Sequence, residues 1–416
     1  MSARVFLVFC VYFFSCNVLN AGATLPEYCG KESYSYSPLR KGAKGQGYEL
    51  KQVHVIMRHG DRTRAGMAPC WANDTAVWDC LLTSASLPVV KHDIHDITVD
   101  RVYRDVYMTG RNDMQGDCGL GHLTFKGYKQ QELNGQNLRK AYIDTDSFLL
   151  TIPAMKSFLE QMSAQALALG LFPASSPSSG KSQVVDINLM DKDYDDIEPN
   201  PRVCPKLEQY EREFYATDMW QKHYNEQTKP LLIEVQQALG LEYNLTSYGL
   251  SHIADCLFVH TCHGFPIPST ISDDLMARIG HELEFMWYAS YSYPTIQKYS
   301  QVGIGFLIGE IWEVSHAILQ AFNASDYKWS PYASMIQLEL LQLTNGTTTD
   351  YVVRLLYQGQ ERTIPYCRGS PCSLGQFKEY IGEIVPQDPP TDCKVTNPEI
   401  MNGPHPPRAR RARVLF

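Results

Sequence analysis

Apolar and polar positions alternate weakly from residue 50, then close into Val53, Val55, Ile56 and Met57, which predicts a strand running into a core. Gly60 follows at once and ends it. From Gly121 to Ile143 the pattern changes to a loose helical stripe of Phe125, Tyr128, Leu133, Leu138 and Tyr142, with Thr124 placed to cap its start. Ile152, Met155, Phe158, Leu159, Met162, Ala166 and Leu169 keep helical spacing to Gly170 and predict a second helix opened by Pro153. Residues 205–240 and 270–323 read as mostly helical. "SMIQLELLQLT" and "DYVVRLLYQ" read as a hairpin about Asn345 and Gly346. Between the first strand and first helix, residues 67–120 show little periodicity and hold Cys70, Cys80 and Cys118, as a long loop region with disulfides would. No internal repeat is present. The sum is an α/β protein.

The ends differ from the middle. In residues 1–23, Arg4 precedes the apolar run "VFLVFCVYFF", and Ala21, Gly22 and Ala23 supply a small-residue cleavage pattern. The run is shorter than the roughly 20 residues of a membrane span, so a removed signal peptide is expected. After Cys393 the chain turns Pro- and Arg-rich, and residues 394–416 are expected to be a disordered basic tail. At 416 residues, 44% hydrophobic and 20% charged, the chain is of ordinary globular composition. Its net charge of −8 argues against a nucleic-acid partner.

Without the leader, ten cysteines remain, and an even number in an exported chain suggests disulfides. None has metal-ligand spacing, so no zinc site is expected. Sequons at Asn73, Asn244, Asn323 and Asn345 fit glycosylation in the secretory pathway.

The chemistry gathers in "VHVIMRHGDRTRAG", at the end of the predicted strand, where open α/β sheets place their ligand-binding groups. The spacing of Arg58 and Arg62 lets two planar donor forks converge on one anion, and phosphate suits them best. His59 between them carries an imidazole able to attack phosphorus if it is neutral and oriented. The same residues would also serve as a salt-bridge cluster in a loop, and the tetrad alone leaves both readings open.

Arg58-His59-Gly60-x-Arg62 resembles the signature of the histidine acid phosphatases, in the histidine phosphatase superfamily. The helix "GHLTFKGYKQQELNGQNLRKAYI", then "SAQALALGLFP", "NPRVCPKLEQ", "PYASMIQLEL" and "CRGSPCSLGQFKEYIGEIVPQD" resemble further family segments in the same order. The resemblance implies a three-layer α/β/α core like that of phosphoglycerate mutase, over residues 24–393, with a helical cap at about 150–260. It implies a phosphomonoester substrate, His59 as the nucleophile that becomes phosphohistidine, and Arg58 and Arg62 as phosphate ligands. It also implies disulfides joining Cys204 to Cys393 and Cys367 to Cys372, and no cofactor.

Two family motifs have no counterpart. There is no arginine between Arg139 and Arg202, where the family carries an Arg-Ser-Thr-Asp-like stretch at a strand end. Lys156 is the only cation nearby. The family's late His-Asp pair is also absent: only His92-Asp93 and His95-Asp96, in "KHDIHDI", have that form. The interval before "PYAS" looks short by a strand and a loop, so the sheet is expected to lack core strands. Asp61 and the "KHDIHDI" loop are weak substitutes for the missing acid, and His252, His260 and His263 read as helix surface. The sequence therefore leaves open an exported phosphomonoesterase, a catalytically inactive phosphate-binding relative, or a truncated form.

Overall fold

The computed structural model describes residues 47–66, 70–80, 114–144, 161–173, 199–305, 325–345, 348–364 and 366–403, with short pieces between them, among them 28–30, 91–92, 97–98, 155–157 and 187–189. The leader expected at residues 1–23 lies outside these, as does Asn323.

A five-stranded sheet carries the site. Strand β1, Gly47–Met57, runs antiparallel to β2, Met335–Asn345, with Ile56 opposite Ile336. Strand β2 turns back into β3, Thr348–Tyr357, with Asn345 opposite Thr348, so the Asn-Gly hairpin forms where the pattern placed it. Gln360–Arg362 and Cys372–Ser373 both pair with β3. Among the described residues β1 is an edge strand with β2 as its one strand partner.

Side chains on a strand alternate between faces, and the core divides accordingly. Val53, Val55, Met57 and Met335 pack on one face against Leu138, Ala141 and Tyr142 of α1, Phe125–Tyr142, and against Leu167 and Leu171 of α2, Gln161–Leu171. Ile56, Ile336, Leu338, Val353, Leu355 and Tyr357 fill the other face. There they meet Phe322 and the residues Phe377, Tyr380 and Ile384, which lie in the helix Leu374–Ile384. Helix, sheet and helix make the expected three layers.

A helical region with its own core lies between α2 and β2 in sequence. It holds α3, Lys206–Ala216, α4, Lys229–Leu239, α5, Ser247–His263, and α6, Asp273–Tyr291. Phe214, Trp220, Leu232, Val235, Leu257, Ile279 and Leu283 fill its centre. The ten cysteines form five disulfides: Cys29–Cys262, Cys70–Cys256, Cys80–Cys118, Cys204–Cys393 and Cys367–Cys372. No helix among the described residues is long and apolar enough to cross a membrane. Asn73 and Asn244 are exposed, while Asn345 ends β2.

Two expectations need correction. The helix predicted from Pro153 begins only at Gln161, because Met155–Ser157 forms a strand pairing in parallel with Ile187–Leu189. Residues 394–403 are not a loose tail. The amide of Thr396 donates to Gln209 Oε1 (2.8 Å) and Arg212 Nη1 donates to the carbonyl of Gly403 (2.8 Å), which ties this stretch to α3. Residues 404–416 lie outside the description.

Candidate active site

The signature follows β1 directly, and α1 pins its backbone from below. Gln131 Nε2 donates to the carbonyl of Arg58 (2.7 Å), Gln130 Oε1 accepts from the amide of Asp61 (2.9 Å), and Asn134 Nδ2 donates to the carbonyl of Ala333 (2.9 Å). The amide of Ala333 in turn donates to the carbonyl of His59 (2.9 Å). Thr124 caps α1 by accepting from the amide of Gly127, and its hydroxyl donates to Asp61 Oδ1 (2.5 Å), so one threonine joins helix start to signature. Loop and helix touch with no room for side chains. A Cβ on Gly127 would stand 2.0 Å from the carbonyl oxygen of Asp61.

His59 is half-buried, and its Nδ1 lies 2.9 Å from the carbonyl oxygen of Gly60. A carbonyl only accepts, so Nδ1 carries the proton and Nε2 keeps its lone pair. Arg62 Nε donates toward that Nε2 (3.4 Å), consistent with the same tautomer. Burial, and then the charges of Arg58 and Arg62, hold the ring's pKa well below the ordinary 6.5 and favour the neutral histidine. That is the state a nucleophilic imidazole needs.

The two arginines do not present free forks. Arg62 Nη2 and Nη1 donate to Asp255 Oδ1 and Oδ2 (3.1 and 3.3 Å), and Nη1 also donates to the carbonyl of Thr63 (2.8 Å). Burial works against the Arg62 charge, but Asp255 first, then Tyr332 and Tyr28, together outweigh it and raise the guanidinium pKa. Arg58 donates to the carbonyl of Ser330 and the hydroxyl of Tyr28, and its guanidinium carbon lies 4.8 Å from the centre of the Tyr332 ring. Tyr332 is fully buried, 5.5 Å from the His59 ring between centroids.

The structure brings Arg58, His59 and Arg62 together and sets Asp61 apart in its bonding. The carboxylate of Asp61 is fully buried, with Thr124, His263 Nε2 (2.6 Å) and Lys126 (3.8 Å) as its partners. The surface reading is overturned for His260, while His252 and His263 are half-buried. His260 is fully buried between Asp74 Oδ1 (3.0 Å) and the carbonyl of Cys256 (2.7 Å), and His263 holds Asp61. Cys70, Asp74 and His260 converge, but the sulfur of Cys70 is committed to the Cys70–Cys256 bridge and is no metal ligand. In the "KHDIHDI" stretch, Lys91–His92 pairs with Ile97–Thr98, and the side chains lie outside the description. So does that of Lys156.

Sequence reasoning missed Asp255, Tyr28 and the polar face of α1. The last had a signal: Gln130, Gln131 and Asn134 share a helical face with Gly127 and Leu138, and polar residues there need buried partners. Asp255 and Tyr28 had none, since their partners lie far away in sequence.

The β1–loop–α1 unit thus presents a histidine of lowered pKa between two arginines. The chain belongs to the histidine phosphatase superfamily (branch 2), whose sequence pattern matches residues 49–268. It is 27% identical over 378 residues to counting factor 60 of Dictyostelium discoideum, covering 82% of this chain and 87% of that protein. With human prostatic acid phosphatase the identity is 25% over 318 residues, covering 67% and 81%. Its fold is similar to that of the phytase from Citrobacter braakii, with a TM-score of 0.51 at 12% identity, covering 84% of this chain and 100% of that one.

Proposed function

We propose that this chain is an exported phosphomonoesterase that works through a phosphohistidine at His59, with Arg58 and Arg62 steadying the phosphoryl group. The observation that carries this is the His59 tautomer: with Nδ1–H given to Gly60, Nε2 carries the lone pair that would attack phosphorus, and Arg62 Nε, which donates to it here (3.4 Å), has to turn to the phosphoryl group when substrate binds. In the first half-reaction the N–P bond forms as the ester P–O bond breaks. Water then releases phosphate and restores the ring. The guanidinium charges offset negative charge building on the phosphoryl oxygens. Five disulfides suit an oxidising compartment, and with the leader they support passage through the secretory pathway to the outside or to a lysosomal or endosomal lumen.

A second reading has its own support. The forks of both arginines are already held by protein acceptors, and the sequence lacks the family's late His-Asp pair. On this reading the chain binds phosphate without turnover. The test is hydrolysis of p-nitrophenyl phosphate by the mature secreted protein at mildly acidic pH, with quenching to trap phosphohistidine, beside His59→Ala. Turnover and a trapped label, both gone in the variant, support the esterase. Phosphate binding by a folded protein with neither turnover nor label rejects it for the second reading.

A further inference from the structure

Building on the phosphohistidine reading, we propose that Tyr332 is the group that protonates the leaving oxygen, with Tyr28 orienting it, so that aliphatic phosphomonoesters are within reach of this chain. The argument is a count of protons. Arg58 Nη2 donates to the hydroxyl oxygen of Tyr28 (3.4 Å), and the hydroxyls of Tyr28 and Tyr332 share one hydrogen bond (3.3 Å between oxygens), so one of their two phenolic protons is left over; with Tyr28 as the donor it is that of Tyr332. Tyr332 accepts there, and its own proton then has no acceptor among the described residues, although the side chain is fully buried. A buried hydroxyl with a proton to give calls for a partner. The Tyr332 ring packs between the site's own groups, 5.5 Å from the His59 ring between centroids and 4.8 Å from the guanidinium carbon of Arg58. Burial also raises the phenol's pKa, so Tyr332 stays protonated over the working range.

The step balances. The His59 Nε2 lone pair forms the N–P bond, the P–O bond breaks with its electron pair going to the leaving oxygen, and that oxygen takes the phenolic proton. The resulting phenolate is offset by the charges of Arg62 and Arg58. In the second half water attacks phosphorus, the N–P pair returns to Nε2, and the proton lost by water restores the phenol. A phenol is a weak acid, so its help matters for alkoxides, which need a proton, and little for nitrophenolate, which leaves without one.

The experiment compares kcat/KM for p-nitrophenyl phosphate and 2-glycerophosphate in the full mature chain, wild type beside Tyr332→Phe. Removing the hydroxyl is expected to cost at least about tenfold more on the glycerol ester than on the aryl ester, at the low end for a general acid. Equal losses on both esters, or no loss on either, overturn the assignment and leave the phosphohistidine reading standing. A wild-type chain inactive on both removes that reading and this one with it. If Tyr332→Phe does not fold, Tyr28→Phe replaces it: the ester ratio should shift the same way by a smaller factor, and an unchanged ratio overturns the assignment.

Discussion

Asp255→Ala tests whether α5 controls the signature through Arg62. Asp255 accepts three hydrogen bonds, two from the Arg62 guanidinium (3.1 and 3.3 Å) and one from the amide of Ala65 (2.8 Å). Both side chains of the ion pair are nearly shielded from water, with side-chain exposures of 12% for Arg62 and 11% for Asp255. Removing one partner of such a pair costs about 3–5 kcal/mol, because the other charge stays buried without compensation. In an Arg62→Ala background the same change removes only the bond from Ala65, worth about 1–2 kcal/mol. The double-mutant cycle should therefore give a coupling of about 2–3 kcal/mol between the two sites. Urea unfolding of the four proteins supplies the numbers, and kcat/KM on an aryl phosphate supplies the functional counterpart. Stability losses that simply add, to within about 0.5 kcal/mol, would show that Asp255 and Arg62 act independently and refute the reasoning.

Other consequences follow from the same site. Because burial and two arginines hold the His59 pKa down, the acid limb of kcat/KM should fall well below pH 6.5, and a half-loss near 6.5 would contradict the geometry. Stability also falls on acidification, but over a higher window. Between 6.5 and the lower folded pKa, the unfolded chain takes up a proton that the folded chain refuses, so stability falls as pH drops through that window. His59→Ala should flatten this decline in urea titrations. Gly127→Ala forces a methyl against the carbonyl of Asp61 and should cost about 1–3 kcal/mol in thermal unfolding, with loss of phosphate binding in the protein that remains folded.

How much could be read beforehand depends on the reach of each interaction. Strand β1, the Thr124 cap and the Asn-Gly hairpin are local, and the sequence pattern found all three. Met155–Ser157 was misread because its apolar spacing fits helix or strand equally well, and the choice is made by Ile187–Leu189, about thirty residues on. His260 was misread for the same reason. It read as helix surface, but it meets Asp74 from 186 residues away, as the half-buried His263 meets Asp61 from 202. Arg58, His59 and Arg62 were legible as a cluster, yet the neighbours that set their orientation were not. Asp255, Tyr28 and Ser330 reach the site by tertiary folding alone.

Helix α5 is stapled at two points, by Cys256 to Cys70 just beyond the signature and by Cys262 to Cys29 beside Tyr28. The helix that steers Arg62 and the residue that shares the Arg58 proton chain are thus joined to the site by bonds that only an oxidising environment lets form. Expression host then becomes part of the biochemistry. A chain made in a reducing cytosol has the whole sequence but none of these staples, and a blank assay on such material reports missing crosslinks rather than missing catalytic groups. Secreted protein, with its thiols counted, is the material on which any claim of a dead enzyme has to be made.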